Sequence, residues 1–439
     1  MRRDRAALRV DLGWPIPKDS FVMSDHDKPL GDLQLEAELL RRRVKSLEES
    51  LRAIPPWAIP PDWPASGSRS SDDELLEIVT SREKQLVESF DGVPEELIAI
   101  LPVAARMQPP RTLGTANASS GWYPQIERAG LLHLRDGFIG DNVVFDADRY
   151  YGFGRWWLGD GWGMYRDAQR VQRIDAGVSI AAWGGEAFQH FIIDVLPRLA
   201  AVIDLLEEPQ FAHLKIVSHL EGAAFIRWFW RRLGLEDRVV QKPINSEEGW
   251  VIHADAALYP EFEPGLGVYG VYPRNLLRPL QHRLGLLARG DQDLVLYLHR
   301  GEQMLRSVAN ADDLLARIRE VLSGTPYRLE VLESSGDFDA DVATFARAKI
   351  IIGPHGGALA NMAFARPGAH VIEFLPIYRL YQENKDPRPM YWGLAQAAGL
   401  HYWSVEPRNF DFDGCGMVVD GDELAQVIKA ILGGRRGGE

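Results

Sequence analysis

Apolar positions divide the chain into stretches of different period. Leu33, Ala37, Leu40, Val44, Leu47, Leu51 and Ile54 recur at alternating spacings of three and four, an a/d seam. Glu36, Glu38, Arg41, Arg42, Arg43, Lys45, Glu48 and Glu49 fill the outer positions. Residues 26–54 are therefore expected to form either a short coiled coil that pairs two chains, giving a homodimer, or an amphipathic helix docked on its own domain. Residues 1–25 show no period and read as a loose tail. Prolines followed by a Ser/Gly cluster make 55–74 a stiff-then-flexible linker. Residues 75–111 read as a helical segment of one or two short helices. No repeat of solenoid or propeller length is visible.

From about residue 112 the pattern changes. The runs GFIGDNVVFD and RIDAGVSIAAW read as strands, and EAFQHFIIDVLPRLAAVIDLL (186–206) has helical periodicity. A strand at LKIVSH, a helix at AAFIRWFWRRLGL, a strand at DRVVQKP and a helix at 275–287 follow. A second series starts with the strand DLVLYLHR (293–300). It continues through a helix at NADDLLARIREVL, strands at YRLEVLE and KIIIGP, a helix at GGALANMAFA and a strand at HVIEFLP. It closes with the helix YWGLAQAAGL, the strand HYWSVE and the helix DELAQVIKAIL. Strands alternating with helices predict parallel sheets covered on both faces. Two such series predict an α/β protein of two Rossmann-like domains, 112–288 and 289–439, with a ligand cleft between them.

Composition narrows the class. The 439 residues carry a formal net charge of −13. A protein that coats nucleic acid or an anionic bilayer is normally basic, so neither partner is expected. A single cysteine, Cys415, excludes an intrachain disulfide and a zinc site of several thiolates. No apolar run reaches the ~20 residues of a membrane span, and the basic N-terminus lacks the apolar stretch of a signal peptide. The expected compartment is the cytoplasm, with the inner face of the membrane as a peripheral location.

Three segments carry chemistry. In KIIIGPHGGALANMAFARPGAHVIEF an apolar strand ends at Gly353-Pro354 and His355-Gly356-Gly357 turns into a helix. Glycines allow close backbone approach to a ligand, and a helix N-terminus favours an anion. His355 can donate to a phosphate oxygen. Glu373, near the carboxyl edge of the next strand, is placed to accept from ribose hydroxyls. Together these residues describe a nucleotide-diphosphate site. It has neither the Gly-x-Gly-x-x-Gly of a dinucleotide fold nor the Lys-Ser/Thr of a P-loop. In EAFQHFIIDVLPRL, His190 and Asp194 stand four apart on one helix face, a general base with an orienting carboxylate. In YLHRGEQMLRSVANADDL, Arg300 and Arg306 are suited to a diphosphate. The plainer readings are a structural glycine turn, a surface ion pair and loop arginines paired to acids. Aromatic residues crowd 146–162, where they either stack on sugar or form a local hairpin core.

These segments, in this order, resemble the family 61 glycosyltransferases over roughly residues 120–405. His190, Asp194, Pro197 and Arg198 match the family's histidine helix ending in Asp-x-x-Pro-Arg. Arg300, Arg306 and Asn310 match its arginine turn. Gly353, His355, Gly356, Leu359, Asn361 and Glu373 match its Gly-x-His-Gly-Ala-Gly-Leu-x-Asn and Val-Ile-Glu strands. The chain departs from the pattern at Gly357-Ala358, which swaps the usual pair. It departs again at His299-Arg300-Gly301 and at Glu186-Ala187-Phe188-Gln189. The resemblance implies a GT-B architecture and inverting transfer, with no cofactor and no metal. The donor is a nucleotide sugar, by family habit UDP-linked, and the acceptor a glycan, a lipid-linked oligosaccharide or a protein, as in polysaccharide biosynthesis. Donor-binding residues would be Arg300, Arg306, His355, Gly356, Gly357, Ala358, Asn361 and Glu373, and His190 with Asp194 would be catalytic. The alternatives are a non-catalytic scaffold of a polysaccharide-assembly complex and a nucleotide-sugar-modifying enzyme.

Overall fold

The computed structural model describes residues 70–433 apart from 82–83, 88, 102–106, 112–125, 141–142, 153–164, 243–248, 265–269, 288–289, 302–303, 333–335, 377–387 and 412. The expected tail and the 26–54 helix fall in the unit Met1–Pro56 and lie outside the described residues, as do most of the linker and of the aromatic loop. The unit Trp57–Glu439 carries two β-sheets.

The strands of the first sheet are β1 (Gln85–Val87), β2 (Ile98–Leu101), β3 (Ile126–Gly140), β4 (Val143–Phe145), β5 (Arg149–Tyr151), β6 (Arg170–Ser179), β7 (Lys215–Ser218), β8 (Val239–Gln241) and β9 (Trp250–Pro264). They lie in the order β1-β5-β4-β3-β9-β6-β7-β8, with β2 paired to β3. The half formed by β9, β6, β7 and β8 is parallel. The other half is largely antiparallel and grows from the long pairing of β3 with β9. This mixed sheet differs from the parallel one read from the sequence, because β9 was not visible as a strand. Its run of Ala254, Ala256 and Ala257 and its Pro260 lack the β-branched signal of a buried strand.

Among the described residues of 75–111, only the front forms an α-helix. The helix Asp72–Ser81 starts in a capping box: Ser71 Oγ accepts from the Glu74 amide at 3.2 Å and Glu74 Oε2 accepts from the Ser71 amide at 2.7 Å. Beyond it the chain forms β1, short 3₁₀ turns and β2.

The second sheet contains β10 (Leu294–Leu298), β11 (Arg328–Leu332), β12 (Ala348–Pro354), β13 (His370–Phe374) and β14 (His401–Val405). All are parallel, in the order β11-β10-β12-β13-β14. The chain leaves β10 to one side for β11 and then returns to its other side for β12. The carboxyl ends of β10 and β12 therefore flank a topological switch point, where open α/β sheets bind ligands. The first sheet has its own such point, between β6 and β9.

The helices Ala224–Leu233 and Phe338–Arg347 join the two layers. Phe225 meets Phe191 at 6.0 Å, Phe338 at 5.4 Å and Phe364 at 5.9 Å between ring centroids. One apolar core runs from Ile192 and Phe229 through these rings to Ile351 and Trp392.

Candidate active site

The loop after β6 opens the first half of the site. Gly184 holds φ +74°, and a Cβ on it would come within 3.3 Å of the His190 ring. A Cβ on Gly185 would fall 2.4 Å from Nε2 of His219, which is buried under the turn and bonded to the Ala182 carbonyl at 3.0 Å. Burial holds His219 far down, at about 3, so it acts as a neutral prop.

The helix that follows is not uniform. Phe188–His190 and Leu196–Leu206 are α-helical, and Phe191–Val195 between them is π-helical. Pro197 sits at the start of the second α segment, where its missing amide and its ring are accommodated by the wider turn. Arg198, 1% exposed, donates to the Ala181 carbonyl at 2.9 Å and pairs with Glu261 of β9 at 3.4 Å. The Pro-Arg of this segment thus anchors the helix to the sheet.

His190 and Asp194 span the π turn. Nδ1 of His190 lies 3.0 Å from Oδ2 of Asp194. The carboxylate is 2% exposed and the histidine 27%. Tyr272 donates to Asp194 Oδ1 at 3.4 Å. The hydrogen bond to Asp194 raises the histidine's pKa above its ordinary value, aided by the charges of Asp194 and Glu186 and opposed by burial.

The second half stands at the end of β12. His355, 4% exposed, bonds through Nδ1 to Glu373 Oε1 at 2.6 Å. Tyr402 donates to Glu373 Oε2 at 2.5 Å. The sequence placed Glu373 on a ribose. In the structure it has no exposed surface, and its two oxygens are engaged by His355 and Tyr402. Tyr391 meets the His355 ring edge-on at 4.9 Å.

Arg300, just beyond β10, donates from Nη1 to the His355 carbonyl at 3.2 Å. Its guanidinium passes so close to Gly356 that a Cβ there would sit 1.9 Å from Nη1, so a larger residue would displace the guanidinium. Arg306, at φ +60°, bonds its amide to the Gly414 carbonyl at 2.6 Å. Burial, then the nearby Arg300 and Arg388, hold its pKa below the ordinary arginine value, with Tyr391 and Asp413 opposing. Such crowded, partly desolvated cations form a place for an anion. Asn310 stands at the N-cap of the helix Ala311–Leu322, but its side chain makes no capping bond there and instead holds Val419 through both ends of its amide.

After Gly356 the chain runs into the 3₁₀ turn Gly357–Phe364, not the expected α-helix. Gly357 and Ala358 are its partly open first residues. Asn361 turns Nδ2 back to the Ala358 carbonyl at 3.3 Å.

The two halves adjoin. Oε1 of Gln189, next to His190, lies 3.1 Å from where a Cβ of Gly357 would stand. Gly393 of the helix Met390–Ala397 packs so closely on Gly270 that a Cβ would be 2.0 Å from its carbonyl oxygen. From sequence Gln189 stands out only as a departure from the family pattern, and nothing there marks Tyr272, Arg388, Tyr391 or Tyr402 as site residues. Nor does anything there mark Trp183, 49% exposed beside Gly184. Tyr402 alone had been within reach, on a strand already assigned next to that of Glu373.

Two carboxylate-held histidines on adjoining switch points, with guanidiniums beside one of them, suit an enzyme that transfers a group between an anion and a hydroxyl. Residues 188–372 match the family model described as Glycosyltransferase 61, and this match classifies the protein as a glycosyltransferase. The matched span includes all of the site residues named from the sequence except Glu373, one position beyond its end. A search of curated proteins finds no match to the chain. Among the described residues no helix is long and apolar enough to cross a membrane.

Proposed function

We propose that this glycosyltransferase has a GT-B architecture and transfers a sugar, with inversion, from a nucleotide-diphosphate donor to a glycan or other hydroxyl acceptor in polysaccharide biosynthesis. The donor is read as UDP-linked, and the chemistry as metal-independent. The observation that carries this reading is the contact between the two switch-point sites through Gln189 and Gly357. It supports a donor and an acceptor lying side by side.

On this reading His190 takes the proton from the acceptor hydroxyl as that oxygen attacks the anomeric carbon. The bond from that carbon to the diphosphate oxygen breaks, and the leaving group departs with the electron pair. Asp194 orients the imidazole and steadies its charge. Arg300, Arg306, His355 and the backbone at Gly356, Gly357 and Ala358 offset the charge growing on the diphosphate, with Asn361 at the rim. Donors aimed at developing charge are each worth about 2.7–4 kcal/mol in the transition state. Glu373 contributes by holding His355.

The test separates the two roles. His190→Ala should lose ~10²–10⁴-fold in transfer while keeping the thermal shift produced by UDP. His355→Ala should lose that shift first. Parental transfer by a folded His190→Ala enzyme would remove the base assignment. Stabilisation by GDP, CMP or dTDP rather than UDP would change the donor.

A further inference from the structure

On the first sheet, well before the carboxyl end of β6, a buried histidine stands between two aspartates that the transfer chemistry does not use. In the antiparallel pairing of β3 and β9, Arg135 faces Ala256 and Gly137 faces Ala254. Asp136 and Asp255 therefore stand across from one another. Like charges directly opposed on neighbouring strands are unfavourable, and Asp136 holds a left-handed φ of +51° besides.

Beside them His253 is fully buried, and neither ring nitrogen has a hydrogen-bond partner. Nε2 is 3.9 Å from Asp136 Oδ1 and Nδ1 is 3.9 Å from Asp255 Oδ1, too far for hydrogen bonds. The ring packs T-shaped against Phe138 at 5.1 Å between centroids. Arg173, opposite His253 on β6, is turned to Asp72 Oδ1 at 2.7 Å. Buried polar atoms are otherwise nearly always satisfied. One ligand atom from each of Asp136, His253 and Asp255 lies within 4.8 Å of the other two.

We infer that Asp136, His253 and Asp255 form a binding site for a divalent transition-metal cation such as Zn²⁺. An imidazole nitrogen and two carboxylate oxygens are a suitable donor set, with water completing the shell. Metal–ligand bonds of about 2.0–2.2 Å require only a modest closing of the site, and Asp136, 63% exposed, is the side chain able to swing inward. Burial keeps the histidine's pKa below its ordinary value, leaving it neutral and able to ligate. A bound cation relieves the opposed carboxylates, gives the buried ring a partner and ties β3 to β9.

The experiment uses the full chain, stripped with EDTA and dialysed. Zn²⁺ is titrated by calorimetry, and thermal unfolding is followed with Zn²⁺ at ~100 times its dissociation constant, where ligand linkage visibly raises Tm. One equivalent bound and a higher Tm are expected. Asp136→Asn and Asp255→Asn should each weaken binding at least tenfold, and Asp136→Asn should leave the Tm in EDTA unchanged or higher, since it removes an opposed charge from an exposed side chain. His253→Asn is a third variant, but the exposed Asp136 keeps the test readable should that one fail to fold. No saturable Zn²⁺ binding in the parent, or undiminished binding in both aspartate variants, overturns the site.

Discussion

Glu373→Gln tests what the buried carboxylate does. The change keeps the side chain's shape and removes its charge. Glu373 has no exposed surface and lies 2.6 Å from Nδ1 of His355. A hydrogen bond to a charged group is worth about 1.5–3 kcal/mol. If His355 meets the diphosphate, loss of its fixed orientation should weaken nucleotide binding by about 10- to 150-fold, at ~1.4 kcal/mol per factor of ten. The glutamine also cannot accept from both His355 and Tyr402 in the present arrangement, so Tm should fall. The assay is nucleotide binding by calorimetry on the parent, Glu373→Gln, His355→Ala and the double variant. If Glu373 acts only through His355, the glutamine has no further effect on affinity once His355 is gone. An undiminished loss in the His355→Ala background would mean that Glu373 touches the ligand directly, as the sequence alone suggested. Parental affinity in Glu373→Gln would remove the positioning role altogether.

The remaining predictions concern the His190 side. If His190 is the base, it must be neutral to act, and because Asp194 raises its pKa the acidic limb of a kcat–pH profile should lie above the ordinary histidine value of about 6.5. Asp194→Asn should move that limb to lower pH. The same raised pKa stabilises the fold fully below about 6.5, and that contribution is lost as pH rises through the folded value; thermal unfolding across this range checks the sign. Gly185→Ala places a methyl 2.4 Å from His219 Nε2. It should destabilise by about 1–3 kcal/mol and depress transfer more than nucleotide binding, as comparison of the two assays would show. Arg198→Met removes the buried Arg198–Glu261 pair and should lower stability in denaturant unfolding. Adding Glu261→Gln should recover part of that loss.

Much of the site could be read from residue order, but its internal contacts could not. The apolar spacing of 186–206 located the His190 helix, yet a single π turn leaves that spacing almost untouched. The run KIIIGPHGG marked the end of a strand and a turn. What it could not supply was the register of β12 on β13, which sets Gly353 beside Glu373 and so brings the carboxylate beneath the next turn. Tyr402 enters by the same route, from β14. Arg300 and Arg306 were legible as a pair because both follow one strand. Arg388 was not, since nothing local links it to them. The antiparallel half of the first sheet was missed because pairing between β3 and β9 is decided over more than a hundred intervening residues. The small side chains of β9 carry little local preference of their own.

The two histidines differ in a way that bears on their proposed work. Both bond through Nδ1 to a buried carboxylate, which directs Nε2 the other way. His355 is almost fully enclosed, its support has no exposed surface, and a second hydrogen bond from Tyr402 fixes that support. A group that must hold a leaving diphosphate gains from such rigidity, because no reorganisation is then needed as charge develops. His190 is about a quarter exposed and sits at the edge of a π turn. A base must be reached by the acceptor and must release its proton to solvent after each turnover. On the proposed reading, the same histidine–carboxylate unit serves both tasks, and burial assigns them. Opening the His355 side should therefore harm donor binding, whereas closing the His190 side with a bulkier neighbour at Gly184 should spare binding and slow turnover.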